Sequence, residues 1–87
     1  MRVTVRLFAR LRDLAGRSEW SCEVAAGPAG ASVADVWRAV TAEHAAIEPF
    51  AGAVSCAVNA HFARMTAAVK DGDEVAFLPP VSGGCDL

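Results

Sequence analysis

The sequence lacks any apolar run long enough to span a bilayer, and its first residues alternate polar and apolar side chains, unlike a signal peptide. It also lacks a strong charge of either sign. The net charge of −2 provides no phosphate-binding field, which argues against a nucleic-acid partner. We therefore expect a cytoplasmic protein with no membrane or nucleic-acid partner. No repeat, linker or low-complexity stretch divides the 87 residues, a length that fits one domain.

Metal-binding and catalytic patterns are missing as well. Cys22, Cys56 and Cys85 are odd in number and widely spaced, with no C-x-x-C pair, and no Cys/His cluster suggests a metal site. We interpret Cys22 and Cys56 as buried free thiols. His44 has no fixed acid or nucleophile beside it in sequence, so a place at the edge of the core is favoured over catalysis. His61 is interpreted as a solvated turn residue. An enzyme acting alone is therefore disfavoured.

A strand pattern is present at each end of the chain. Arg2–Leu7 alternates strictly, which predicts a half-buried strand with Val3, Val5 and Leu7 toward a core. Glu74–Leu78 is predicted to be the last strand. By parity, Phe8 and Leu78 are apolar side chains that fall outside the core. Two interpretations of Phe8 remain open, a contact with a partner or packing under the next loop.

Between these strands the pattern indicates one clear helix. Ser32 can cap it, Asp35 fits a variant of the capping box, and apolar residues recur at helical spacing over 33–47. Pro49 is expected to end this helix. The weaker patterns predict a helical turn or loop at 9–16, strands at 17–24 and 54–58, a turn at 59–61 and a short strand from Phe62.

These elements predict an α+β fold in which one long helix packs on one face of a mixed sheet. The other face would then be open. If the first and last strands are neighbours, Phe8 and Leu78 lie on that open face with Arg2 and Arg6 nearby. An apolar patch edged by arginines is a reasonable docking surface.

The last nine residues have a composition that fits neither a strand nor a helix. Pro79 and Pro80 end the preceding strand, because proline has no N–H for a sheet ladder. Gly83 and Gly84 have no Cβ and make a thin backbone. From the residues alone two interpretations stay open: a frayed terminus, or a peptide that threads into a narrow channel of a partner. The six residues 79–84 span roughly 20 Å when extended.

Several stretches resemble the MoaD/ThiS sulfur carriers, namely the strand 3–8, the pair Val58-Asn59 and the run 71–84. The resemblance covers residues 1–84 and is closest to the small subunit of molybdopterin synthase. It implies a ubiquitin-like β-grasp fold over residues 1–78, followed by a functional tail at 79–84 and a removable extension at 85–87.

The resemblance also implies a chemistry. A ubiquitin-activating-like enzyme would use ATP to adenylate Gly84, and a sulfur donor (a sulfurtransferase or cysteine desulfurase) would convert the adenylate into a thiocarboxylate. Gly83 would give access, and no cofactor would be bound by the chain. The sulfur would pass to the large subunit of molybdopterin synthase or to another sulfur-accepting enzyme. The implied partner-binding residues are Phe8, Phe62, Leu78, Pro79, Pro80 and Val81.

The chain departs from this family at its end, where Cys85, Asp86 and Leu87 follow the second glycine. The terminal carboxylate therefore lies about 10 Å past Gly84 on an extended chain. We expect a precursor that a JAMM-type metalloprotease cuts between Gly84 and Cys85. Three interpretations of Cys85 remain open: part of the discarded peptide, a residue without a role, or a self-processing thiol that accepts the Gly84 acyl group.

Other functions also stay open at this point. The chain could donate sulfur in another pathway, such as that of a sulfur-containing siderophore, antibiotic or amino acid. It could be a ubiquitin-like modifier that is joined to lysines of other proteins. It could also be an inert binding module whose tail is never processed.

Overall fold

The computed structural model describes residues 1–28 and 30–80. Helices and strands in it are short and follow one another closely. In chain order they are β1 (Arg2–Leu7), α1 (Ala9–Ala15), β2 (Glu19–Glu23), β3 (Ala31–Ser32), α2 (Val33–Glu43), a 3₁₀ helix (Ala45–Phe50), β4 (Ser55–Val58), β5 (His61–Ala63), β6 (Ala68–Val69) and β7 (Glu74–Leu78).

The main sheet has five strands in the order β2-β1-β7-β4-β5. The first and last strands, β1 and β7, are neighbours and run parallel, while the other pairs are antiparallel. A second sheet is formed by β3 and β6 alone. The mixed sheet with α2 on one face confirms the predicted α+β class. The neighbouring position of β1 and β7 meets the condition on which the predicted open face depended.

The core lies between the sheet and α2. The inward residues Val3, Val5 and Leu7 of β1 are at most 1% exposed, as strict alternation predicted. Phe77 of β7 is fully buried and meets Trp37 of α2 edge to face, with ring centroids 4.9 Å apart. Because α2 covers this face, the even-numbered side chains of β1 and β7 are left on the other one.

The start of α2 follows the prediction and its end does not. Ser32 N–H donates to Asp35 Oδ2 at 2.8 Å, and the reciprocal bond completes a capping box. The helix ends at Glu43, before Pro49. His44 leaves helical geometry at φ −128° and ψ 74°, and the chain tightens into the 3₁₀ helix, which contains Pro49. The expectation that Pro49 ends the helix is therefore wrong.

The remaining comparisons concern short elements. The predicted helical turn at 9–16 is α1, which Gly16 ends in a left-handed conformation at φ +77°. His61 is the first residue of β5, so the turn expected at 59–61 is only the pair Asn59-Ala60. Neither β3 nor β6 was expected, because a strand of two residues is too short to show any alternation.

Within the described residues, no helix is both long and apolar enough to cross a membrane.

Candidate functional site

The open face of the sheet carries one row of side chains that crosses four strands. Arg6 of β1 lies opposite Ala76 of β7, Ala76 lies opposite Ala57 of β4, and Ala57 lies opposite Phe62 of β5. Cross-strand partners point to the same face, so these residues stand side by side. The two alanines in the middle are small, which leaves a depression between the larger side chains at the ends of the row.

This depression is a shallow groove of about 220 Å³. Phe62 at its edge is 82% exposed and is the exposed large hydrophobic residue of the described chain. An exposed apolar side chain that is contiguous with further apolar surface indicates a site that another molecule covers. The apolar residues that line the groove, called the apolar patch below, are Phe8, Ala57, Ala60, Phe62, Ala76 and Leu78.

Arg6 and Glu74 form the charged edge of the patch. Arg6 Nη1 lies 3.1 Å from Glu74 Oε2, and Arg6 Nε lies 3.7 Å from Glu19 Oε1. The Arg6 guanidinium also stands 5.1 Å from the centre of the Phe8 ring, within cation–π range. All three ionic side chains are more than one third exposed, so these pairs orient the edge of the patch and stabilise the fold little.

Phe8 reaches the patch because the chain turns sharply after β1. Phe8 itself is extended, at φ −124° and ψ 153°, and Ala9 then takes a left-handed conformation at φ +51°. The turn sends Leu11 into the core, where it is fully buried, while Phe8 stays half-buried on the open face. Of the two interpretations of Phe8, this geometry favours the exposed contact over packing beneath a loop.

Beside Glu74, Asn59 connects the β4–β5 turn to β7. Its backbone N–H donates to the carbonyl of Glu74 at 2.8 Å, and its side-chain oxygen accepts the Glu74 N–H at 3.0 Å. The Asn59 amide also donates to Asp73 at 3.1 Å. The Lys70 backbone N–H, and then this amide, hold the pKa of Asp73 below its ordinary value. These bonds fix the turn that precedes Phe62.

The C-terminal segment leaves the sheet beside the patch. Leu78 is the last residue of β7 and lines the groove; Pro79 is half-buried and Pro80 is exposed. The structure thus brings Phe8, Phe62 and Leu78 together at one end of the open face, with the two prolines directly after them. The other residues predicted to act, Val81, Gly83, Gly84 and Cys85, lie outside the described residues.

The remaining candidate residues lie elsewhere. Burial raises the pKa values of the Cys22 and Cys56 thiols, so both are poor nucleophiles. Over residues 1–28 and 30–80, His, Cys, Asp and Glu form no cluster that could hold a metal ion. A second depression of about 320 Å³ lies beside β2 and α2, but its cation, Arg17, already pairs with Glu43 at 3.5 Å and stacks on Trp20 at 4.4 Å. The Arg17 guanidinium therefore already has partners within the chain, and this depression is a weaker candidate for a binding site.

Sequence reasoning missed the three alanines of the patch, Ala57, Ala60 and Ala76. Alanine carries no outward signal of its own, and only the pairing of β4 with β5 and β7 reveals that these residues share a face with Phe62. Parity within β4 and β7 separated inward from outward residues. It did not show which outward residues of different strands meet.

The first and last strands of the chain, β1 and β7, lie side by side and run parallel in a five-stranded mixed sheet, and α2 crosses one face of that sheet. This arrangement defines a ubiquitin-like β-grasp protein. The ThiS family model matches residues 5–84, and the chain belongs to this family. The molybdopterin synthase sulfur carrier subunit of Chlamydomonas reinhardtii is 36% identical over 97% of this chain and all of that protein.

Solved structures agree with this assignment. SAMP1, a small archaeal modifier protein from Haloferax volcanii, superposes with a TM-score of 0.83 at 29% identity, covering 97% of this chain and 100% of SAMP1. A chain in the complex of subunits 1 and 2 of the molybdopterin-converting factor from Helicobacter pylori superposes with a TM-score of 0.63 at 26% identity, with coverage of 97% and 100%. The similarity therefore extends over almost the whole chain and supports a sulfur carrier.

Proposed function

We propose that this protein is a cytoplasmic sulfur carrier that delivers sulfur as a thiocarboxylate on Gly84 to a sulfur-accepting enzyme, most closely the large subunit of molybdopterin synthase. The observation that carries the proposal is the apolar patch beside the exit of a segment that contains Gly83-Gly84. Membership of the ThiS family and the similarity to sulfur carrier subunits support it.

The chemistry proceeds in three steps. In an ubiquitin-activating-like enzyme, the Gly84 carboxylate attacks the α-phosphate of ATP, and pyrophosphate leaves. A persulfide on a sulfurtransferase or cysteine desulfurase then attacks the acyl adenylate and AMP leaves, which gives an acyl disulfide between Gly84 and the donor. A second thiol of the partner enzymes attacks the donor-side sulfur, so that the S–S bond breaks, the Gly84 thiocarboxylate leaves and the partner's two sulfurs become a disulfide. The partners bind the ATP and supply the acid–base chemistry. Gly83 and Gly84 suit a narrow channel because they have no Cβ.

Docking and delivery are divided between two parts of the chain. The apolar patch, with Phe8, Phe62 and Leu78, contacts the partner, while Pro79, Pro80 and Val81 lead the tail away from it. Gly84 follows Leu78 by six residues, a reach of roughly 20 Å. The partner's active site should therefore lie within that distance of the surface that covers the patch.

The last three residues make the chain a precursor. Because Cys85-Asp86-Leu87 follow Gly84, the carbonyl of Gly84 is part of a peptide bond. A free Gly84 carboxylate forms only after a protease, of the JAMM metalloprotease type, cuts between Gly84 and Cys85. The functional division is then a β-grasp domain at 1–78, a tail at 79–84 and a removable extension at 85–87. In this scheme Cys85 belongs to the discarded peptide.

The test compares residues 1–84 with the full chain of 87 residues. Each is incubated with the adenylating enzyme of its host, ATP and the sulfur donor, and the intact mass is recorded. We expect the 1–84 form to exchange one oxygen for sulfur and the full chain to remain unchanged. Equal conversion of both forms would contradict the need for cleavage. Conversion of neither form would contradict the sulfur-carrier proposal.

A ubiquitin-like modifier is the second candidate, favoured by the similarity to SAMP1. It uses the same activated Gly84, but the acceptor is a lysine amine and the product is an isopeptide. The two functions are separated by mass spectrometry of host lysates. Adducts in which Gly84 is joined to lysines of other proteins would support the modifier.

A further inference from the structure

The apolar patch is bordered by every non-glycine residue of the described chain that has a positive φ. Over residues 1–28 and 30–80 these residues are Ala9 at +51°, Asn59 at +50° and Ala60 at +71°. Ala9 directly follows Phe8, and Ala60 itself lines the patch two residues before Phe62. Unfavourable backbone conformations that gather around one surface point to a function of that surface.

Ala60 is the one of these three residues that also lines the patch. Asn59 and Ala60 form the two-residue turn between β4 and β5, and both have positive φ, as in a type I′ turn. Asparagine tolerates the first position, and the hydrogen bonds of Asn59 to Glu74 and Asp73 stabilise it there. Glycine is the preferred residue at the second position, because any Cβ crowds the backbone.

The other left-handed positions of the described chain follow the usual rule. They are occupied by Gly16 at φ +77°, Gly30 at +91° and Gly72 at +90°. None of these glycines lines the patch. Glycine thus stands at the left-handed positions away from the patch, whereas alanine stands at Ala9 and Ala60 beside it.

Burial in the core does not compensate for the strain at Ala60. Its side chain is exposed in the free protein, so the methyl group contributes little to folding. Ala60 lines the groove with Phe62 and Glu74, where a bound partner would cover it. Its apolar surface is therefore useful only in the complex.

We infer that Ala60 is a binding contact of the docking surface, held in a strained turn so that its methyl group completes the apolar patch. The inference rests on the proposed function, since it requires a partner that covers this patch. The Cβ of Ala60 lowers the stability of the free chain and raises its affinity for the partner.

The test is the substitution Ala60→Gly in the full chain. Removing the Cβ relieves the strain but adds freedom to the unfolded chain, and we expect a net rise in Tm of roughly 4 °C. The probe for binding is the large subunit of molybdopterin synthase from the same host, titrated by calorimetry. Loss of one buried methyl group should weaken binding roughly three- to fourfold.

Gly16→Ala is the matched control, because it introduces the same Cβ at nearly the same φ but outside the patch. It should lower Tm and leave the affinity unchanged. The inference is overturned if Ala60→Gly lowers Tm, or if it binds the large subunit as tightly as the unsubstituted chain. If the unsubstituted chain, as precursor or after cleavage at Gly84, does not bind the subunit at all, the proposed function fails, and this inference fails with it.

Discussion

Phe62→Ala tests the docking surface with little effect on the stability of the fold. The Phe62 side chain is 82% exposed, so its removal from the free protein deletes almost no packing. Full burial of a phenylalanine stabilises a complex by about 1.5–3 kcal/mol. Scaling by the exposed fraction gives about 1.2–2.5 kcal/mol, which corresponds to a dissociation constant roughly 8- to 60-fold larger.

The assay is calorimetric titration of the purified large subunit of molybdopterin synthase with each variant. His61→Ala is the matched control. His61 is also exposed and precedes Phe62 on β5, but it pairs with Val58 and so points to the other face of the sheet. We expect His61→Ala to bind like the unsubstituted chain. Thermal unfolding of each variant shows whether a loss of binding comes from a loss of structure.

Two results would refute this reasoning. If Phe62→Ala binds as tightly as the unsubstituted chain, the partner does not cover the patch. If Phe62→Ala lowers the free energy of unfolding by several kcal/mol, Phe62 packs in the core of the free protein and does not form a docking surface.

Three other predictions concern the fold itself. Phe77→Ala removes a fully buried ring that packs on Trp37, so urea denaturation should show a free energy of unfolding lower by about 3–5 kcal/mol, and a smaller loss than 1 kcal/mol would contradict the core described above. The pKa of Asp73 is lowered in the folded state, so its contribution to stability is present above about pH 4 and is lost as the pH falls through the folded value. Asp73→Asn should therefore flatten the decline in stability measured by denaturation between about pH 5 and pH 2, and an unchanged decline would argue against the bonds from Lys70 and Asn59. Burial raises the pKa values of Cys22 and Cys56, so iodoacetamide should modify both in urea but neither in the native protein at neutral pH, as peptide mapping would show.

The sequence predicted the open face because alternation is a strong local signal. The parity of β1 and β7 identified Phe8 and Leu78 as outward apolar residues, and the parallel pairing of these strands brings the two together. Phe62 was predicted by resemblance alone, since β5 has only three residues and too little pattern. The capping residues Ser32 and Asp35 were recognised because their bonds are local.

What the sequence could not provide is set by tertiary contacts. The alanines of the patch become visible only through the register between strands. The end of α2 was misplaced because His44, which has no strong helix-ending signal, leaves the helix before Pro49 is reached. The strain at Ala60 was invisible for a similar reason: the two-residue turn exists only once β4 and β5 pair.

The intact mass of the protein purified from its natural host tests the sulfur-carrier proposal most directly. We predict a species that ends at Gly84, with a further component in which one oxygen of the terminal carboxylate has become sulfur. A protein that still ends at Leu87 and has gained no sulfur, in cells where the activating enzyme is present, would contradict the account.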